Sequence, residues 1–267
     1  MMARTLNIAL IIPARNEELS LPGVLSKIPV EITRVVVVDN GSSDATAAIA
    51  ARYGAMVVSE PTPGYGRACL AGLASLRDAP PDIVAFVDAD GSDELSQLSG
   101  LIAPVAAGER DLVLGQRIAV SAAALSLQQR FGHLLATGLI RLFWGHRFRD
   151  LGPMRVISWP ALERLSMTDR AFGWTVEMQV RAVKHRLRIL ETPVLYHPRS
   201  AGKSKISRTL GGTFKAGSTI LWVIARELAA GTPGNPGVLK SWRPERYLFE
   251  EKQLGVACAC PEPQEPQ

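Results

Sequence analysis

Cysteine is scarce in this chain: three among 267 residues, and two of them, Cys258 and Cys260, sit in a Pro/Glu/Gln-rich C-terminal stretch. That leaves no material for a disulfide framework or a Cys-rich zinc site, so a reducing compartment is the default. Aromatic residues amount to 6% and are not interleaved with cations in the way that stacks bases, so no nucleic-acid partner is expected. No apolar run reaches the roughly 18 residues of a membrane-spanning helix. The first apolar stretch is stopped by Pro13-Ala14-Arg15-Asn16, too soon for a secretory signal and its cleavage site. A cytoplasmic location, with peripheral contact to the cytoplasmic membrane face possible, is the resulting expectation. The four histidines, His133, His146, His185 and His197, show no ligand spacing and read as structural. Cys69 reads as a small buried hydrophobe.

What is present fits a soluble globular domain with a sizeable core: 47% hydrophobic and 21% charged residues. The net charge of +5 hides an asymmetry. Residues 1–140 carry 10 basic and 14 acidic side chains, residues 141–210 carry 14 and 5, and the remainder 6 and 6. The basic third quarter is either a solvated face or a site for phosphate groups or an anionic membrane surface.

Apolar, β-branched runs alternate with helical patterns. Strands are expected at Asn7–Ile12, Arg34–Asp39, Met56–Ser59, Ile83–Val87 and Asp111–Gly115, and helices at Glu17–Ile28, Ala45–Tyr53, Arg67–Leu76 and Leu95–Ala106. Short loops between them predict right-handed βαβ units and a Rossmann-like, mostly parallel sheet with flanking helices. A mostly helical stretch over 122–144, a helix over 174–185, a strand over 188–196 marked as an edge by Pro193, and an amphipathic helix over 210–229 follow. From residue 231 the composition turns Pro/Gly-rich, charged and low-complexity, which predicts a partly disordered tail.

Polar clusters fall where the strands end, the rim at which parallel sheets bind ligands. Asp88 and Asp90, after the run Ile83–Val87, are either turn and cap residues or oxygen ligands for a divalent cation that bridges phosphates. Asp39 could accept from a nucleobase edge. Gly64-Tyr65-Gly66-Arg67 opens a helix with small residues and a cation, suited to phosphate, although such a pair of glycines is more often only a turn.

In order, Ile12-Pro13-Ala14-Arg15-Asn16-Glu17-Glu18, Val38-Asp39-Asn40-Gly41-Ser42-Ser43-Asp44, Gly64-Tyr65-Gly66-Arg67-Ala68 and Asp88-Ala89-Asp90 resemble the successive motifs of the family 2 glycosyltransferases with the GT-A fold. Glu177-Met178, Pro193, Arg199 and Gly202-Lys203-Ser204-Lys205 are similar to the branch that makes dolichol- or polyprenyl-phosphate mannose or glucose. The resemblance implies one GT-A domain over 1–230, with a nucleotide-sugar half (1–115) and an acceptor half (116–230), followed by the tail 231–267. It implies a nucleotide diphosphate sugar (UDP- or GDP-sugar) held by Pro13, Ala14, Asn16, Glu17, Asp39, Gly64, Arg67, Asp88, Ala89, Asp90 and Ser204. Mg²⁺ or Mn²⁺ would sit on Asp88 and Asp90, with Ser92 or Asp93 as a further ligand. Asp90, Arg117, Asp150 and Arg199 would serve the transfer itself.

The chain departs from that pattern at Asn40, where a second Asp is commoner, and at Gly91-Ser92-Asp93-Glu94. A hydroxyl acceptor would need a carboxylate base, for which Asp150 and Glu177 are the candidates. A phosphate acceptor needs cations instead. The basic third quarter therefore favours a polyprenyl phosphate, reached from the surface through Leu139, Phe143 and Trp144 or the helix around Trp222. For Trp222, core packing is the preferred reading. A soluble hydroxyl acceptor and a non-catalytic nucleotide-sugar-binding protein are the alternatives. A sugar-nucleotide pyrophosphorylase would need a Gly-rich basic loop where Pro13-Ala14-Arg15-Asn16 stands. Nothing in the sequence speaks for or against a homo-oligomer.

Overall fold

A computed structural model describes residues 5–121, 124, 127–201 and 210–231, all within one compact unit. Ser204 and, except for Gly231, the expected tail lie outside the described residues.

Seven strands form one sheet in the order β3 (Met56–Ser59), β2 (Arg34–Asp39), β1 (Ile8–Ala14), β4 (Ile83–Phe86), β6 (Arg155–Ser158), β5 (Leu112–Ala119), β7 (Ile189–Tyr196). Pairings are parallel except around β6, which runs antiparallel to both β4 and β5. The sheet is thus mostly parallel, as expected, with one reversed strand in its middle. β7 lies at the edge, where Pro193 costs no ladder bond to a further strand.

Alternate residues of the central strands feed two apolar layers. Ile11, Val36, Val38 and Phe86 face α3 (Tyr65–Ala74), α5 (Leu127–Trp144), α6 (Trp159–Leu165), α7 (Trp174–Lys184) and α8 (Leu210–Ala229). Leu10, Ile12, Val37 and Ala85 face α1 (Leu21–Leu25), α2 (Thr46–Arg52) and α4 (Leu98–Ala106). Burial on both faces explains why these strands read as unbroken apolar runs. Because β1, β2 and β4 run the same way, their carboxyl ends bring residues 14–17, 39–43 and 87–93 to one rim. No described helix is long and apolar enough to cross a membrane.

Two expectations about apolar groups change places. Leu139, Phe143 and Trp144 pack against the core instead of facing solvent. Trp222, expected inside, is 58% exposed, because Val223 and Ile224, about 100° and 200° further round α8, are the residues turned to the core.

Candidate active site

At the end of β1, Asn16 takes a left-handed backbone (φ 51°) that an Asn tolerates better than most residues. Its Oδ1 accepts from the Ser43 amide at 2.8 Å and its own amide donates to Ser42 Oγ at 2.9 Å. The loops after β1 and β2 are thereby locked together. Asp39 closes β2, with Oδ1 accepting from the Ser42 amide at 3.1 Å. Pro13 and Ala14 belong to β1 itself, in register with Val38 and Asp39.

Asn40 is a structural pin. Its amide donates to the carbonyls of Glu60 and Thr62 at 2.9 and 2.8 Å, and its Oδ1 accepts from the Gly64 amide at 2.7 Å. An aspartate could accept but not donate there, which accounts for the departure from the commoner acid.

At Gly64-Tyr65-Gly66-Arg67 two of the helix-start amides are taken by the chain itself, which leaves the Arg67 side chain as the group for phosphate. The Gly66 and Arg67 amides donate to the carbonyls of Ala171 and Arg170 at 3.0 and 3.1 Å. A Cβ on Gly66 would overlap the Asp169 carbonyl, so close backbone packing against residues 169–171 accounts for the glycine.

The acids after β4 form the centre of the rim. The chain turns at Gly91, whose φ of 73° suits glycine. Asp93 Oδ2 accepts from the Asp88 amide at 3.0 Å, and Asp90 Oδ1 from the Ser92 amide at 2.9 Å. The segment following β7 runs alongside: Asp93 bridges Tyr196, the His197 amide donates to the Ser92 carbonyl at 2.8 Å, and Ser200 donates to the Asp90 carbonyl through N and Oγ at 3.1 and 3.0 Å. Arg199 then reaches across, donating to Asp90 Oδ2 at 2.8 Å and to Glu17 Oε1 at 2.5 Å. Two buried atoms, Ser92 Oγ and Asp93 Oδ1, have no partner among the described residues. Desolvation, then the neighbouring acids Asp90 and Asp93, push the Asp88 carboxyl well above its usual range. Burial pushes Asp93 up to about 7.

Across the rim, Arg117 forms a two-pronged pair with Asp150, Nε to Oδ2 at 2.7 Å and Nη2 to Oδ1 at 2.8 Å, and its amide also donates to Asp150 Oδ2 at 3.0 Å. Tyr196 lies under its guanidinium, 5.0 Å from ring centroid to Cζ. His133 of α5 stands against the same guanidinium, 2.8 Å from Nε2 to Nη2. Burial would raise the Asp150 pKa, but the Arg117 hydrogen bonds and charge hold it below the usual range. Arg155, after Gly152, is buried in the core and donates to the Gly152 carbonyl. Glu177, fully buried, accepts from the Thr168 and Asp169 amides at 3.0 and 2.8 Å and from Arg226 at 2.6 Å, and pairs with Arg181 at 3.0 Å. Neither candidate base is free.

Asn16, Glu17, Asp39, Asp88, Asp90, Ser92, Arg117, Asp150 and Arg199 therefore share one rim. Gly64 and Arg67 stand beside it, with Arg67 at the start of α3. The sequence did not single out Tyr196 or His133 for the site. Tyr196 ends a strand, a signal that was available. His133 had none, since only the docking of α5 turns it toward Arg117.

The glycosyl transferase family 2 model matches residues 9–162, more than half of the chain, and the chain belongs to that family. It is a glycosyltransferase with the GT-A fold. A glycosyltransferase of Mycobacterium tuberculosis without a characterised activity is 42% identical over 78% of this chain and 94% of its own length. An undecaprenyl-phosphate mannosyltransferase of Micrococcus luteus is 30% identical, over 76% and 88%. Among solved structures, glucosyl-3-phosphoglycerate synthase from Mycobacterium tuberculosis, in complex with Mn²⁺, UDP-glucose and phosphoglyceric acid, superposes with a TM-score of 0.62 at 22% identity, covering 82% of this chain and 80% of that one.

Proposed function

We propose that this protein moves a sugar from a nucleotide diphosphate sugar to a polyprenyl phosphate, with Mg²⁺ or Mn²⁺ as cofactor. The donor half of the reading is supported by the rim itself. Asp39, Asn16 and Glu17 line one side, and the acids after β4 the other. No three His, Cys, Asp or Glu side chains among the described residues converge as a ready cation cage. Two carboxylates, Asp88 and Asp90, with the unpartnered Ser92 Oγ or Asp93 Oδ1, suit a hard cation whose other ligands are phosphate oxygens. Such a cation neutralises charge that grows on the leaving diphosphate. A complex of the glucosyl-3-phosphoglycerate synthase contains Mn²⁺ and UDP-glucose, which supports the same pairing here. Arg199, which spans Asp90 and Glu17, would add a second positive charge to that diphosphate.

The acceptor reading is carried by one observation: Asp150 and Glu177, the carboxylates nominated to deprotonate a hydroxyl, are both saturated by arginines and amides. A phosphate monoester, with its second pKa near 6, needs no base. The name of the Micrococcus luteus relative supports the same acceptor class. A soluble acceptor is the second reading, favoured by the phosphoglyceric acid in the solved neighbour.

The test offers the purified protein a panel of UDP- and GDP-sugars with Mn²⁺ or Mg²⁺, and as acceptor either a short-chain polyprenyl phosphate, a free sugar or phosphoglyceric acid. Transfer to the prenyl phosphate is expected, falling by about 10²-fold or more in Asp90→Ala. Transfer to a soluble hydroxyl acceptor with none to prenyl phosphate would overturn the acceptor, and full activity of Asp90→Ala would overturn the site.

A further inference from the structure

α5 and α8 lie side by side on one flank of the domain, Gly132 of α5 facing Ile220 of α8. Their inward residues are spent on the core: Ala136 and Ile140 from α5, Val223 and Ile224 from α8. Their outward residues are large and apolar. Phe131, Leu134 and Leu142 are 66%, 72% and 73% exposed, and Leu221 and Trp222 are more than half exposed. Single exposed apolar side chains are ordinary, but five on the outward sides of two packed helices are what an interaction surface offers, Trp222 among them with the Arg226 guanidinium 4.8 Å over its ring.

The charges around the patch identify what would cover it. Arg130, Arg141 and Arg147 are exposed along or just beyond α5. α5 contains no acidic residue. The one acid of α8, Glu227, is buried against Lys184 and Arg181. An apolar face edged by arginines, with no exposed acid on either helix, is complementary to a lipid interface with anionic headgroups. A second copy of the same face would instead bring arginines against arginines.

We infer that the outward face of α5 and α8 docks on an anionic bilayer, with Phe131, Leu134, Leu142, Leu221 and Trp222 entering the interface and Arg130, Arg141 and Arg147 meeting headgroups. Its purpose rests on the polyprenyl-phosphate reading above. The same α5 that carries Phe131 and Leu134 outward presses His133 inward against Arg117, so docking sets the acceptor side of the rim beside the membrane that holds a lipid-linked phosphate.

The test is cosedimentation of the full-length protein with phosphatidylcholine vesicles, with and without phosphatidylglycerol, together with transfer to a water-soluble short-chain prenyl phosphate. The wild type should sediment with the anionic vesicles and dissociate at high salt. Phe131→Ser/Leu134→Ser/Leu142→Ser should weaken that binding at least about tenfold, Arg130→Glu/Arg141→Glu should abolish the preference for anionic lipid, and both should keep transfer to the soluble acceptor. A wild type that stays in the supernatant, or apolar variants that sediment as it does, would overturn the docking face, and light scattering that shows these variants turning a dimer into a monomer would assign it to self-association. Vesicle binding without prenyl-phosphate transfer would instead overturn the acceptor reading and leave the docking face standing.

Discussion

The imidazole of His133 is enclosed between α5 and the Arg117–Asp150 pair, and burial, followed by the Arg117 charge, brings its pKa down to about 4. An unfolded chain would bind a proton there near pH 6.5. Between these values the unfolded state holds the proton and the folded state does not, so stability falls as pH drops from about 6.5 and the loss levels off below about 4. This residue alone should remove about 2 kcal/mol between pH 7 and pH 5. The neighbouring Asp150, held low by Arg117, adds its own loss only at more acidic pH, in the range where carboxylates protonate. Urea unfolding at pH 7 and pH 5 checks the assignment. His133→Gln should show a pH dependence smaller by about that amount, and an unchanged slope would mean that the acid sensitivity arises elsewhere. The same geometry explains why the site was only partly readable from residue types. Asp88, Asp90 and Asp39 were legible because strand-end acids carry their own signal. The Glu177–Arg181 pair was legible from its i,i+4 spacing on α7, but the further saturation of Glu177 by Arg226 and that of Asp150 by Arg117 was not, because those arginines are contributed by α8 and β5.

At the scale of elements, β2 (Arg34–Asp39) was legible to the residue, since its four valines, Val35 to Val38, are β-branched and its centre is buried. The helix expected from Glu17 shrank to Leu21–Leu25 because Glu17 is drawn off by tertiary partners, its amide donating to Thr46 Oγ1 and its carboxylate taken by Arg199. β5 ran past Gly115 to Ala119 because Arg117 through Ala119 continue in register with Val194 through Tyr196 of β7. β6 was hidden behind Arg155, a charged residue that reads as loop and is in fact buried. The start of α3 offers a direct check on the reassigned glycines. Gly66→Ala would ordinarily help a helix by up to about 1 kcal/mol, but its methyl would meet the Asp169 carbonyl. A net loss of about 1–3 kcal/mol is expected from the forced shift. If thermal unfolding instead showed stabilisation, the tight seam between α3 and residues 169–171 would be wrong.

For the whole molecule, the basic surplus of residues 141–210 changes meaning once partners are assigned. Arg155 is buried, Arg188 pairs with Asp111, Arg199 with Glu17 and Asp90, and Arg181 and Lys184 with Glu227. Much of the charge that suggested a phosphate site is therefore spent inside the domain, and a smaller exposed share remains for ligands or lipid. The cluster of Glu177, Arg181, Lys184, Arg226 and Glu227 ties α8 to α7, so the helix that bears Trp222 should unfold with the sheet and not ahead of it. Glu227, 2% exposed, accepts from Lys184 at 2.8 Å and Arg181 at 2.9 Å. Glu227→Gln would leave Lys184 buried beside a neutral amide, a change expected to cost about 3 kcal/mol. Circular dichroism should show a lower urea midpoint with a single transition, because loosening α8 uncovers Val223 and Ile224 in the same core that holds Trp174 and Phe86. Two separated transitions would show that α8 is an appendage on an otherwise complete domain. Asp111→Asn, which breaks the more exposed Arg188 pair, should move the midpoint much less, and an equal shift in both variants would remove the argument that burial sets the value of these pairs.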